Sequence, residues 1–85
     1  MNTAMQAIET VKNIFSNEGC DVLVEDYDEF VTVICSSYNN AFVNIQRVID
    51  ILSKIMSQTS RLGVRINLSY IEVDEIQVSI EKHVG

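Results

Sequence analysis

The chain has 85 residues, and twelve acids against six bases leave it a net charge of −6. Free nucleic acid, which requires a positive surface, is therefore a poor partner for it. With 47% hydrophobic residues, no proline and three glycines, the chain is too apolar for disorder and sized for a single domain, 1–85, with a core just sufficient to stand alone.

The first helix opens at "TAMQ", where Thr3 caps and Gln6 reaches back as a capping box. Apolar residues then recur at Ala4, Ala7, Ile8, Val11, Ile14 and Phe15, which is a helical stripe. Gly19 follows where a left-handed C-terminal residue is wanted.

Alternation replaces helical periodicity in "CDVLVEDYDEFVTVIC". One face collects Cys20, Val22 and Val24, then Val31, Val33 and Cys35. A tight turn over Tyr27–Asp28, or a four-residue loop around it, pairs Glu25 with Phe30. That register sets Val24 opposite Val31, Val22 opposite Val33 and Cys20 opposite Cys35. Direct opposition brings the cysteines within bridging range. Both point into the core of a chain expected in the cytoplasm, however, so they are expected to remain reduced thiols.

The second helix begins near Asn39 or Asn40 and closes at Gly63, on the order of 33 Å later. Its inner stripe runs Ala41, Ile45, Val48, Leu52, Ile55 and Leu62, widened by Phe42, Ile49 and Met56. Arg47, Lys54 and Arg61 recur on the opposite side as a basic stripe, with Asp50 among them. In the second hairpin Val64, Ile66, Leu68 and Tyr70 point inward with Ile76, Val78 and Ile80, and the turn carries Glu72, Val73 and Asp74.

The stretch "SNEGCDVLV" at Ser16–Val24 resembles "SRLGVRINL" at Ser60–Leu68. Each is a helix exit through glycine into a strand. The order αββαββ therefore reads as an internal duplication, with units at about 3–37 and 39–84 and a slightly longer second turn. Short connections make each element antiparallel to its predecessor. The expected fold is α+β: a two-layer sandwich with a four-stranded antiparallel sheet and both helices on one face. With strands two and four paired at the centre it becomes a permuted ferredoxin-like fold, an analogy that carries no function with it.

Both hairpin tips are acidic: Glu25, Asp26, Asp28 and Glu29 at one, Glu72, Asp74 and Glu75 at the other, at opposite ends of the sheet. Neither has the glycine or the ligand spacing of a calcium loop, so no metal is expected. Solvated acids that blunt aggregation are the plainer account; docking to a basic protein is the sharper one. On the face away from the helices, the first hairpin presents Leu23, Phe30 and Ile34. The second presents Arg65, Asn67, Ser69, Glu75, Gln77, Ser79 and Glu81 there. An apolar trio on a sheet face that otherwise alternates cleanly points to contact with another chain.

Catalytic residues and cofactors are not expected. The one histidine, His83, falls on the face opposite both thiols, and there is no phosphate-cradling glycine loop or zinc-ligand cluster. The opening "MNTAMQAIETVK" lacks the basic and apolar regions of a secretory signal, and the apolar runs are too short to span a membrane. The expectation is a cytoplasmic, non-catalytic protein-binding module using Leu23, Glu25, Asp26, Asp28, Glu29, Phe30 and Ile34 against a basic protein surface. In size and charge, without any shared motif, the chain is similar to phage- and plasmid-encoded inhibitors of nucleic-acid enzymes, anti-CRISPR proteins included. The alternatives are a homodimer formed through the open sheet face and a weak nucleic-acid binder using the second helix.

Overall fold

The apolar stripe of the first helix does what its spacing predicts. In the computed structural model, which describes residues 3–82, α1 spans Thr3–Asn17 and buries Ala4, Ala7, Val11, Ile14 and Phe15. Gly19 follows at φ +77°, a conformation that costs glycine little because it has no Cβ. The chain then enters β1 (Asp21–Asp26) and β2 (Phe30–Ser36).

The hairpin register differs from the expected one by two residues. Asp26 lies opposite Val31, Val24 opposite Val33 and Val22 opposite Cys35. The Tyr27 N–H donates to the Phe30 carbonyl at 2.9 Å, so the turn is Asp28–Glu29 and not Tyr27–Asp28. A slip of two preserves which face each residue occupies, so the inward set is unchanged.

The expectation of free thiols is overturned. Cys20 and Cys35 form a disulfide, with Cα atoms 5.4 Å apart. The shifted register makes them diagonal neighbours instead of direct opposites, still on the same face and within bridging distance.

The second helix is shorter than its periodicity suggests. Asn40 adopts a left-handed conformation at φ 49°, and Ala41–Val43 form one 3-10 turn. Then Asn44 caps α2 (Ile45–Thr59), its side-chain oxygen accepting the Arg47 N–H at 3.3 Å. The break pins the 3-10 turn to the second hairpin: the Phe42 N–H donates to the Val73 carbonyl at 2.8 Å, and Tyr70 Oη donates to the Phe42 carbonyl at 3.2 Å. It also rotates the helix. Val48, Ile51, Ile55 and Thr59 are buried, whereas Ile45, Ile49 and Met56 from the expected stripe are exposed.

A second 3-10 turn (Ser60–Leu62) leads to Gly63 at φ +68°. Then β3 (Ile66–Glu72) and β4 (Glu75–Glu81) follow. The longer turn expected in the second hairpin is not seen: the register shift falls between Tyr70 and Glu72, and Glu72 pairs directly with Glu75 across the turn.

The four strands form one antiparallel sheet in the order β1-β2-β4-β3. The central pair sets Val31, Val33 and Cys35 opposite Ile80, Val78 and Ile76. These six join the buried residues of both helices in one core, with Phe15, Phe42, Ile51 and Ile55 fully inside. Because Ser36 pairs with Glu75 and Phe30 with Glu81, the hairpin tips lie at opposite ends of the sheet. His83 lies outside the described residues.

Candidate protein-binding surface

The strand period places Asp21, Leu23 and Glu25 on the sheet face away from the helices, together with Phe30, Thr32 and Ile34 of β2. Leu23 is 57% exposed, but Ile34 only 7%. The difference comes from strand position: β1 is an edge, whereas Ile34 lies between Leu23 on one side and Gln77 on the other. Ile34 therefore supports the surface from below and offers little area to a partner. Thr32 is buried beside it, with its hydroxyl 3.3 Å from that of Ser79.

Phe30, 38% exposed, stacks against Tyr27 with ring centroids 4.8 Å apart. Tyr27 Oη donates to Glu25 Oε2 at 3.3 Å. At the far end of β1, Tyr38 Oη donates to an Asp21 carboxylate oxygen. Along one edge strand, then, Leu23 is bracketed by two carboxylates, each held by a tyrosine hydroxyl. Both tyrosines are pushed above the ordinary 10.0. For Tyr27 the main cause is the charge of Glu25, and for Tyr38 the hydrogen bond to Asp21.

The four acids of the first tip do not act together. Glu25 faces the open side, and Asp28 and Glu29 occupy the exposed turn. Asp26 lies on the helix side, where it forms an ion pair with Lys82. The Lys82 N–H also donates to the Glu29 carbonyl at 3.0 Å. At the second tip the Asp74 carbonyl accepts the Ser37 N–H at 2.8 Å, and Gln77 Nε2 donates to Glu75 Oε2 at 3.0 Å. Both tips are therefore tied to the rest of the chain, the first through Lys82 and the second through Ser37 and Phe42, while the side chains of Asp28 and Glu29 stay exposed.

The expected basic stripe is not a free outer face. Arg47 and Lys54 converge on Glu18 at the end of α1. Arg47 Nη2 donates to the Glu18 carbonyl at 2.7 Å, and its Nε lies 3.8 Å from the carboxylate. Lys54 Nζ is 3.1 Å from the same carboxylate. Arg61 stands apart, lining a recess with Met5, Glu9 and Gln58.

Sequence reasoning missed Asp21, Tyr27 and Tyr38. Tyr27 was accessible in principle, two residues from Glu25 and directly opposite Phe30 once the register is right. Tyr38 follows the strand, where no alternation argument reaches. Among the described residues, no group of three or more His, Cys, Asp or Glu could hold a metal ion, and no helix is long and apolar enough to cross a membrane. Comparison with protein-family models and with curated protein sequences gives no match.

Proposed function

We propose that this chain is a small acidic protein-binding module that performs no chemistry of its own, and that its partner presents a basic surface. One observation carries this reading. Exposed Leu23 lies between Asp21 and Glu25 on the open sheet face, and the stacked, partly exposed Tyr27 and Phe30 lie on the same face just beyond Glu25. Apolar area so placed contributes on association at about 25 cal/mol per Å², before the costs of ordering are set against it. The carboxylates steer a cationic partner and act on association rate and salt dependence more than on final affinity.

A protein whose own ligand is a nucleic acid suits such a surface, because carboxylates can stand where phosphates would bind. Inhibition of such a protein, in the manner of anti-CRISPR-type proteins, is the form of action we infer. In that role the chain acts in the cytoplasm, where the Cys20–Cys35 bridge would exchange with cellular thiols. The repeated glycine exits and the central β2–β4 pair support descent from a duplicated αββ unit with permuted ferredoxin-like topology.

The test has three arms. Affinity capture with the wild-type chain and with Phe30→Ser should show a basic protein retained by the first and lost from the second. Light scattering should give a mass that stays at one chain as concentration rises; a doubling would favour the homodimer. Retention on immobilised DNA at moderate salt would favour the nucleic-acid reading.

A further inference from the structure

The two edges of the sheet are treated differently. β3 is interrupted between Tyr70 and Glu72, the kind of irregularity that turns an edge away from further pairing. β1 pairs with β2 without a break from Asp21 to Asp26. It carries no proline or bulge, and its charged residues, Asp21, Glu25 and Asp26, are all acids, which repel a like edge and leave the strand open to a basic one.

Its backbone polarity follows from the turn. Tyr27 and Phe30 form a hydrogen-bonded pair, so Glu25, Leu23 and Asp21 also direct their N–H and C=O groups to β2, in the alternation of an antiparallel ladder. Val22, Val24 and Asp26 direct theirs to the open edge. The side chains available beside a strand added there are Asp21, Leu23 and Glu25 on the open face. They would occupy non-hydrogen-bonded positions, where cross-strand side chains approach most closely.

We propose that β1 accepts an extended segment of the partner as an added antiparallel strand, and that this segment reads basic-x-apolar-x-basic. Its cations would meet Glu25 and Asp21, and its apolar residue would meet Leu23. The proposal rests on the protein-binding reading above and names the chemistry of the partner. Charge decides the occupant. A second copy paired symmetrically through Leu23 would set Asp21 opposite Glu25 of the other copy, twice over, and like charges directly opposed are unfavourable. A segment with cations at those positions turns both contacts into opposite-charge pairs. The tyrosine hydroxyls of Tyr27 and Tyr38 hold the two carboxylates in place beforehand.

The experiment uses the full chain, isotope-labelled, with the capped peptide Thr-Lys-Thr-Val-Thr-Lys as probe. Binding should slow amide exchange at Val22, Val24 and Asp26, because these N–H groups acquire partners. N-methylating the peptide's threonines, whose amides face β1, should weaken binding by about tenfold or more. N-methylating its lysines and valine, whose amides face away, should leave binding unchanged. Replacing the lysines with glutamates should abolish it. Equal binding by the two N-methylated peptides would overturn strand addition while leaving the surface reading in place. Binding of the glutamate peptide as tight as that of the lysine peptide would overturn both. No binding of the lysine peptide, or pairing of two copies through β1 in solution, would overturn the strand proposal.

Discussion

The Tyr27 ring stacks on the Phe30 ring at 4.8 Å with planes 27° apart, tying the two ends of the first hairpin's turn together on the open face. Both rings are partly exposed, so the pair is a surface feature and not part of the core. Phe30→Ser should therefore cost about 2–3 kcal/mol, the aromatic pair together with the shielded part of the ring, and lower the melting midpoint by roughly 10–20 °C without unfolding the chain at room temperature. Circular dichroism melts check this. Loss of the folded state at room temperature would mean that Phe30 belongs to the core.

The tyrosine–carboxylate pairs predict a pH dependence with a definite sign. Tyr27 and Tyr38 are raised above 10.0 by Glu25 and Asp21, so folding favours their neutral forms. Whatever stability they contribute is fully present below pH 10.0 and is lost as pH rises through their raised values. Ultraviolet titration of the folded chain should show phenolate forming later than in the denatured chain. Glu25→Gln should return Tyr27 toward the ordinary value, and Asp21→Asn should do the same for Tyr38.

The disulfide spans a sequence separation of 15, and closing a loop of that size stabilises by about 3 kcal/mol on the chain-entropy account. Intact mass without reductant should be lighter by a pair of hydrogens than with it. Reduction should lower the melting midpoint measurably. Complete native alkylation of both cysteines without reductant would contradict the bridge.

The elements themselves were legible because each has its own periodicity. Helical spacing runs from Ala4 to Phe15, and alternation runs through Val22–Val24 and Val31–Cys35. Register was not legible, for a definable reason. The stretch "DYDE" has no glycine, proline or asparagine to fix the turn, and a slip of two leaves every side chain on its own face. The sequence places the start of the second helix at Asn39 or Asn40, but its cap is Asn44. The Phe42–Val73 hydrogen bond holds Ala41–Val43 in a separate 3-10 turn that periodicity does not encode. On the surface, parity correctly assigned Leu23, Phe30 and Ile34 to one face. It could not tell edge from centre, so the burial of Ile34 depends on a strand order that alternation does not encode. Asp26 was separated from its neighbouring acids by the same parity, since its face is the one that brings it to Lys82.

Gly63 exits the second helix at φ +68° with nothing near enough for an added Cβ to strike. The penalty of Gly63→Ala is then conformational alone, about 1 kcal/mol. Denaturant titration should show a lower midpoint with an unchanged slope. An unchanged midpoint would place the backbone there in an ordinary conformation.

The central claim is that the open face around Leu23 and Phe30 binds a basic protein. It is tested most directly by the affinity of the captured partner for three folded chains: wild type, Phe30→Ser, and Asp50→Lys on the exposed side of α2. Asp50→Lys should bind like wild type, and Phe30→Ser should lose binding by a hundredfold or so, about 2.7 kcal/mol, as expected of an aromatic anchor. If Phe30→Ser, still folded, binds the partner as tightly as the wild type while Asp50→Lys does not, the surface lies on the helices and the account is wrong.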